Sequence, residues 1–330
     1  MKAKNFSYKL TGSFILLILV SLIAMRFGAA DTSLKDVWFA VTSSKKTDTV
    51  TMLQEIRFPR IIATIFVGAA LAVAGAIMQG VTRNPLADPG LLGVSAGANV
   101  ALAMTMAFIP VANYFSIMIA CFIGATIGTL LVIGIGAISN SGFSALRIVL
   151  AGSAVSAFLY AIADGIAIYF DISKDVSMWT AGGFIGTNWS QLQVVLPFIA
   201  VTLIVSLLFS RQLSLLSLNE DVAVGLGQNI LVIKAVLFLL ISLLAGASVA
   251  LVGNLAFVGL MIPHVVRAIV GSDYRNILPM SMIIGAAFLV AAETIGRTIN
   301  APYETSVAAI ISIIGLPFFL IIVRKGAKQI

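Results

Sequence analysis

Charge is scarce in this chain: only 10% of its 330 residues are charged, where a soluble chain carries roughly 25%. So little polar surface excludes a water-soluble domain, and the chain must be solvated by lipid over most of its area. Cysteine is nearly absent too. Cys121 stands alone inside an apolar run, which excludes a disulfide framework and a cysteine metal site. His264 is the sole histidine and the 13 acids are scattered, so no His-rich or Cys-rich metal cluster can be assembled. A GxxxxGK[ST] phosphate loop is also lacking, which excludes ATP hydrolysis by this polypeptide alone in the usual way.

What fills the chain instead is apolar: 60% of the residues, with a mean hydropathy of +1.10. Backbone buried in lipid must pair within its own segment, which leaves helices or a closed barrel. The apolar runs are near the ~20 residues that span hydrocarbon and lack the alternation of barrel strands. The expectation is therefore an all-α polytopic membrane protein of about ten transmembrane helices, forming one domain over residues 1–330. The helices are placed near 10–28, 60–80, 91–110, 114–138, 147–169, 192–210, 230–250, 254–270, 277–295 and 304–323. The first run, preceded by Lys2, Lys4 and Lys9, is too long for a cleavable signal and reads as a membrane helix. The eighth is interrupted by Asn254, Pro263, His264 and Arg267, so it is expected to be broken and packed against protein, with His264 satisfying the freed backbone groups.

Ten crossings put both termini on one side together with Arg83, Arg147, Arg211 and Arg275. The basic excess gathers there, which marks that side as cytoplasm. The net charge of +7 then reflects topology and gives no support to nucleic-acid binding. Small residues four apart (Gly68 and Ala72, Gly93 and Gly97, Gly124 and Gly128, Gly182 and Gly186) are expected to let helix backbones approach closely.

Three stretches carry more than packing. Asn84, Pro85, Asp88 and Pro89 spell a stiff turn ahead of the third helix. Residues 213–227 sit between two long helices and cannot span the bilayer, yet carry several Leu and Val side chains. There Asn219 is positioned to cap a short helix that opens on Glu220 and Asp221 and closes at Gly225 and Gly227. Ser153, Ser156, Tyr160 and Asp164 recur at helical spacing and share one face, which either bonds to neighbouring helices or lines water. A carboxylate such as Asp164 at mid-membrane costs on the order of 2.5–3.5 kcal/mol, less toward a helix end.

The run GAALAVAGAIMQGVTRNPLADPGLLGVSAGA at 68–98, with RFPR at 57–60, LNEDVAVGLG at 218–227, FVGLMIPHVVR at 257–267 and IGLPFFLIIVRK at 314–325, closely resembles the FecCD family. These are permease subunits of iron-siderophore and cobalamin ABC importers, and the resemblance covers nearly the whole chain. It implies a cobalamin-permease-like type II importer fold in a bacterial cell membrane, with both termini cytoplasmic. It further implies pairing with a second permease subunit, identical or paralogous, above two cytoplasmic ATPase subunits that hold the ATP and magnesium, and below an extracytoplasmic substrate-binding protein. By the same resemblance the 212–228 segment couples to the ATPase through Asn219, Glu220, Asp221, Val222, Ala223, Gly225, Leu226 and Gly227. Arg57, Arg60 and Arg297 would dock the binding protein, unless Glu55, Glu293 and Glu304 neutralise them locally. Ser153, Ser156, Tyr160 and Asp164 would line the pathway. The expected cargo is a ferric siderophore, with haem or cobalamin as the alternatives. The rival from another class is a proton-coupled secondary transporter working through Asp164, Glu293 or His264.

Overall fold

Lipid satisfies no backbone group, so each apolar run closes its hydrogen bonds as a helix. A computed structural model describes residues 2–28, 32–42, 47–109, 111–137, 145–218 and 220–326. The long helices are α1 (Lys2–Arg26), α4 (Phe58–Thr82), α6 (Tyr114–Ala137), α7 (Ala145–Tyr169), α9 (Trp189–Leu208), α12 (Ile230–Val252) and α14 (Tyr274–Thr298). Each is long and apolar enough to cross a membrane, whereas α5 (Val94–Phe108), α13 (Val258–Val270) and α15 (Val307–Gly326) are shorter apolar helices. These ten occupy the ten segments expected from hydropathy. Four small helices were not placed as such, α2 (Leu34–Thr42), α3 (Asp48–Met52), α8 (Ser173–Thr180) and α10 (Ser210–Leu218), while α11 (Glu220–Gly225) is the short helix expected after Asn219. A π-helical turn over Leu53–Arg57 joins α3 to α4 in one continuous rod.

The axis of the bundle is α4, buried along nearly its whole length and packed by α14, α12, α13 and α9. Its sequence permits this because small residues leave room for neighbouring backbones. Gly68 and Ala72 lie against Gly285 of α14, and Gly75 lies so close to Gly259 of α13 that a Cβ would overlap the Gly259 backbone. The Gly93/Gly97 and Gly124/Gly128 pairs interlock α5 with α6 as their spacing predicts. Gly182 and Gly186 do not pair two helices: both have positive φ, +71° and +81°, in the loop between α8 and α9, and Gly182 also lies so close to the end of α12 that a Cβ would come within 2.8 Å of Val252 O, whereas Gly186 has open space.

Loops separate the bundle into two faces. One carries α10, α11 and the turn after α4. In that turn the Asn84 Oδ1 accepts from the Leu86 N–H at 3.0 Å and the Asp88 carboxylate accepts from the Gly90 N–H at 2.8 Å, opening a 3-10 turn over Pro89–Leu92 that leads into α5. The opposite face carries α2, α3, α8 and the loop after α14. Between α12 and α13 the chain unwinds over residues 253–257, so α13 starts at Val258, later than the expected 254. The break is held from within the bundle: the Gly183 N–H donates to Val252 O at 2.8 Å, and Ser95 Oγ donates to Asn254 Oδ1 at 3.1 Å.

Candidate functional site

At the first face, α10 and α11 form a corner whose two sides differ. Leu213 and Leu216 are buried against the bundle, and Ala223 is buried beneath α11, while Leu218 and Leu226 project outward at 71% and 63% exposure with Val222 and Val224 beside them. Gly227, with φ +79°, ends α11: the Gly227 N–H donates to Val224 O at 2.8 Å and the Gln228 N–H to Ala223 O at 3.0 Å, the paired bonds of a Schellman stop. Gly225 is the last helical residue rather than part of the stop. Glu220 and Asp221 occupy the first turn of α11, as the sequence suggests, and Asn219 lies outside the described residues. The corner is fastened to α14, because Ser214 Oγ donates to the Asp273 carboxylate at 2.9 Å and accepts from the Tyr274 N–H at 2.9 Å.

Along α7, Val155, Leu159, Ala163 and Ala167 face inward, while Ser153 and Asp164 are exposed and Ser156 and Tyr160 half-exposed. Ser153 Oγ donates to Val149 O of its own helix at 2.9 Å, and no hydrogen bond joins any of the four to another helix among the described residues. Within this chain the stripe is an open polar face. Tyr160 also borders a cavity of about 160 Å³ with Ser95, Asn254 and Asp88, set where the unwound 253–257 segment meets the start of α5. Its size suits a few waters and is too small to enclose an iron chelate.

The three arginines expected to dock a binding protein, Arg57, Arg60 and Arg297, are all turned inward. Arg57 Nη1 donates to Met25 O at 2.7 Å and to Thr32 Oγ1 at 2.8 Å, tying the π-helical turn to the end of α1. Arg60 grips Glu304 with two parallel bonds of 2.7 and 2.8 Å and turns its Nε to Glu293. Arg297 stands 3.4 Å from the other Glu293 oxygen and donates to Ala24 O at 2.8 Å. Glu293 is 0% exposed, enclosed by both guanidinium groups. Glu304 sits outside the spanning helices, and the Arg60 fork holds its carboxyl below the usual range. The docking role expected for these residues needs outward-facing cations, whereas this arrangement fits the local ion pairs that Glu293 and Glu304 offered. A partner's carboxylate must break these contacts to reach Arg60 or Arg297. Among the described residues, the ion pairs of Arg60 and Arg297 are made with Glu293 and Glu304 and not with Glu55.

The FecCD transport family model matches residues 16–325. The chain belongs to the FecCD family. Among curated relatives, it is 42% identical over 320 residues to the iron(3+)-hydroxamate import system permease protein FhuB of Bacillus subtilis, covering 97% of this chain and 83% of that one. It is 38% identical over 326 residues to the Fe(3+)-citrate import system permease protein YfmD of the same organism, covering 96% of each. Among solved structures, an inward-facing metal-chelate type ABC transporter superposes with a TM-score of 0.85 at 25% identity, covering 96% of this chain and 98% of that one.

Sequence reasoning about this FecCD chain missed Gln79. Pro263 offers no N–H to the carbonyl of Gly259 four residues earlier, and it is Gln79 Nε2, reaching from α4, that donates to Gly259 O at 3.3 Å and Leu260 O at 3.1 Å. His264 does not serve the break as expected: among the described residues its Nδ1 has no hydrogen-bond partner. The signal was available: Gln79 is the only amide in the otherwise apolar GAALAVAGAIMQG run.

Proposed function

We propose that this chain is the membrane-spanning permease subunit of an ABC importer that moves a ferric siderophore, of hydroxamate or related chemistry, from a binding protein into a bacterial cytoplasm. One observation carries the reading: the α10–α11 corner presents Leu218, Val222, Val224 and Leu226 outward from a face with no lipid-length helix to hide them. Apolar side chains on a capped, well-fastened corner suit insertion into a groove of another protein, and a nucleotide-driven ATPase is the partner that supplies what this chain lacks. The names carried by the hydroxamate and citrate permeases it resembles support an iron chelate as cargo. Both termini and the corner then lie in the cytoplasm, in keeping with the basic residues on that face.

In this reading the open α7 stripe of Ser153, Ser156, Tyr160 and Asp164 faces a second permease subunit, identical or paralogous, across the pathway. Two ATPase subunits hold ATP and magnesium below, and the binding protein sits above. The polar stripe offers too few donors to chelate iron, which favours release over capture. On the outer face, Arg57, Arg60 and Arg297 act first as a brace; docking falls to them only by exchange of Glu304 for a carboxylate of the binding protein.

The experiment is uptake of radio-iron hydroxamate by proteoliposomes holding the permease, its ATPase and its binding protein. ATP-dependent accumulation supports the proposal. Accumulation driven by a pH gradient without nucleotide would establish the secondary transporter instead, and preference for haem or cobalamin over iron hydroxamate would reassign the cargo.

A further inference from the structure

Helix α13 is gripped at two points by one side chain. Gln79 is 2% exposed, its amide nitrogen holds the Gly259 carbonyl freed at Pro263 together with the neighbouring Leu260 carbonyl, and its amide oxygen accepts from Arg267 Nη2 two turns further along α13. The grip needs the close approach of Gly75 to Gly259, which brings the α4 and α13 backbones together. Gln79 is also adjacent to Gly80, where Leu213 of the α10 corner and Tyr274 of α14 rest on α4. From the other direction, α13 is the helix that follows the unwound segment, whose Asn254 borders the cavity beside Tyr160 and Ser95.

The same few residues therefore join the outward-facing corner to the wall beside the α7 stripe. A buried amide in an apolar helix is costly unless its hydrogen bonds are made, and a leucine would fill a similar volume without them. We propose that Gln79 is a positioning residue for transport, the link through which displacement of the α10–α11 corner is delivered by α13 to the unwound segment at Asn254. This rests on the importer reading, since it presumes an ATPase that moves the corner. Coupling of this kind requires an element with two arrangements that both ends bias, and we assign that part to α13, which lacks one backbone hydrogen bond at Pro263 and is held there by side-chain bonds instead.

The test uses the complete transporter in proteoliposomes, with ATP hydrolysis and radio-iron hydroxamate uptake measured on the same vesicles. Gln79→Leu is expected to assemble and hydrolyse ATP without binding protein as the unaltered transporter does, while iron moved per ATP falls roughly tenfold. Arg267→Met, which frees the far end of the grip and also loses the Arg267 contact with the Tyr274 hydroxyl, should lower the same ratio, and Arg267→Lys, which can still donate to Gln79, should restore it. A merely structural glutamine would reduce uptake and hydrolysis together, in step with the amount of folded complex. An unchanged ratio in Gln79→Leu overturns the inference; should that variant fail to assemble, an unchanged ratio in Arg267→Met does so alone. An unaltered transporter that takes up no iron with ATP would sink the importer reading instead.

Discussion

Replacing Glu293 by Gln should destabilise the protein far more than replacing Glu304 by Gln, although both carboxylates contact Arg60. Glu293 is wholly buried between Arg60 and Arg297, so its neutralisation leaves two buried guanidinium groups sharing the single carboxylate of Glu304. Breaking a buried pair by removing one partner costs about 3–5 kcal/mol, because the remaining charge is uncompensated. The Glu304 side chain keeps 26% exposure, and water can replace much of what its loss removes, leaving a cost of about 1 kcal/mol or less. The assay is thermal unfolding of the purified protein in one detergent, followed by the fraction that stays monodisperse. A Glu293→Gln variant that melts no lower than Glu304→Gln would refute the reasoning. A double variant, Glu293→Leu with Arg297→Leu, should be less damaged than Glu293→Gln, since it removes opposite charges together and leaves Arg60 matched to Glu304.

Other outcomes follow from the same geometry. Because the folded Glu304 carboxyl is held below its ordinary range, its stabilisation is complete above that range and fades as pH falls through the lowered value; Glu304→Gln should therefore flatten the acid limb of the melting profile. Leu226→Ser with Val224→Ser should leave the melting temperature within error, because both side chains are exposed, yet lower the amount of ATPase that copurifies; undiminished copurification counts against the corner as the contact. Asp164→Asn should change the uptake rate more than the yield of assembled complex, since the residue is exposed and bonded to no other helix, and a normal rate would leave the stripe without a part in transport. Gly75→Ala should sharply reduce folded protein, as its Cβ would overlap the Gly259 backbone, whereas Gly134→Ala, with nothing nearby, should be silent.

The ten membrane segments were legible because lipid solvation imposes length and composition on each one separately. Such a rule acts within a stretch of sequence and needs no knowledge of neighbours. Helices α2, α3 and α8 escaped because they are five to nine residues long and lie where water satisfies polar groups, so hydropathy does not set them apart. The stop at Gly227 was readable from local chemistry, as was the Asn84–Asp88 turn. What could not be read was pairing across the chain. Arg60 meets Glu304 at a separation of 244 residues, and Gln79 meets Gly259 at 180. The residues themselves name the possible partners, as Glu293 and Glu304 did for the arginines, but only the packing of α4 against α14 decides that the charges close on each other. The mistaken role for His264 has the same origin: Pro263 announces an orphaned carbonyl, and the donor comes from a different helix.

The most direct measurement is the sidedness of the α10–α11 corner in intact cells. With native Cys121 buried, a cysteine placed at Leu226 is the accessible thiol, and a membrane-impermeant maleimide added outside should leave it unlabelled until the membrane is opened. Labelling from outside before the membrane is opened would put the corner on the wrong side of the bilayer for any cytoplasmic ATPase and would contradict the account.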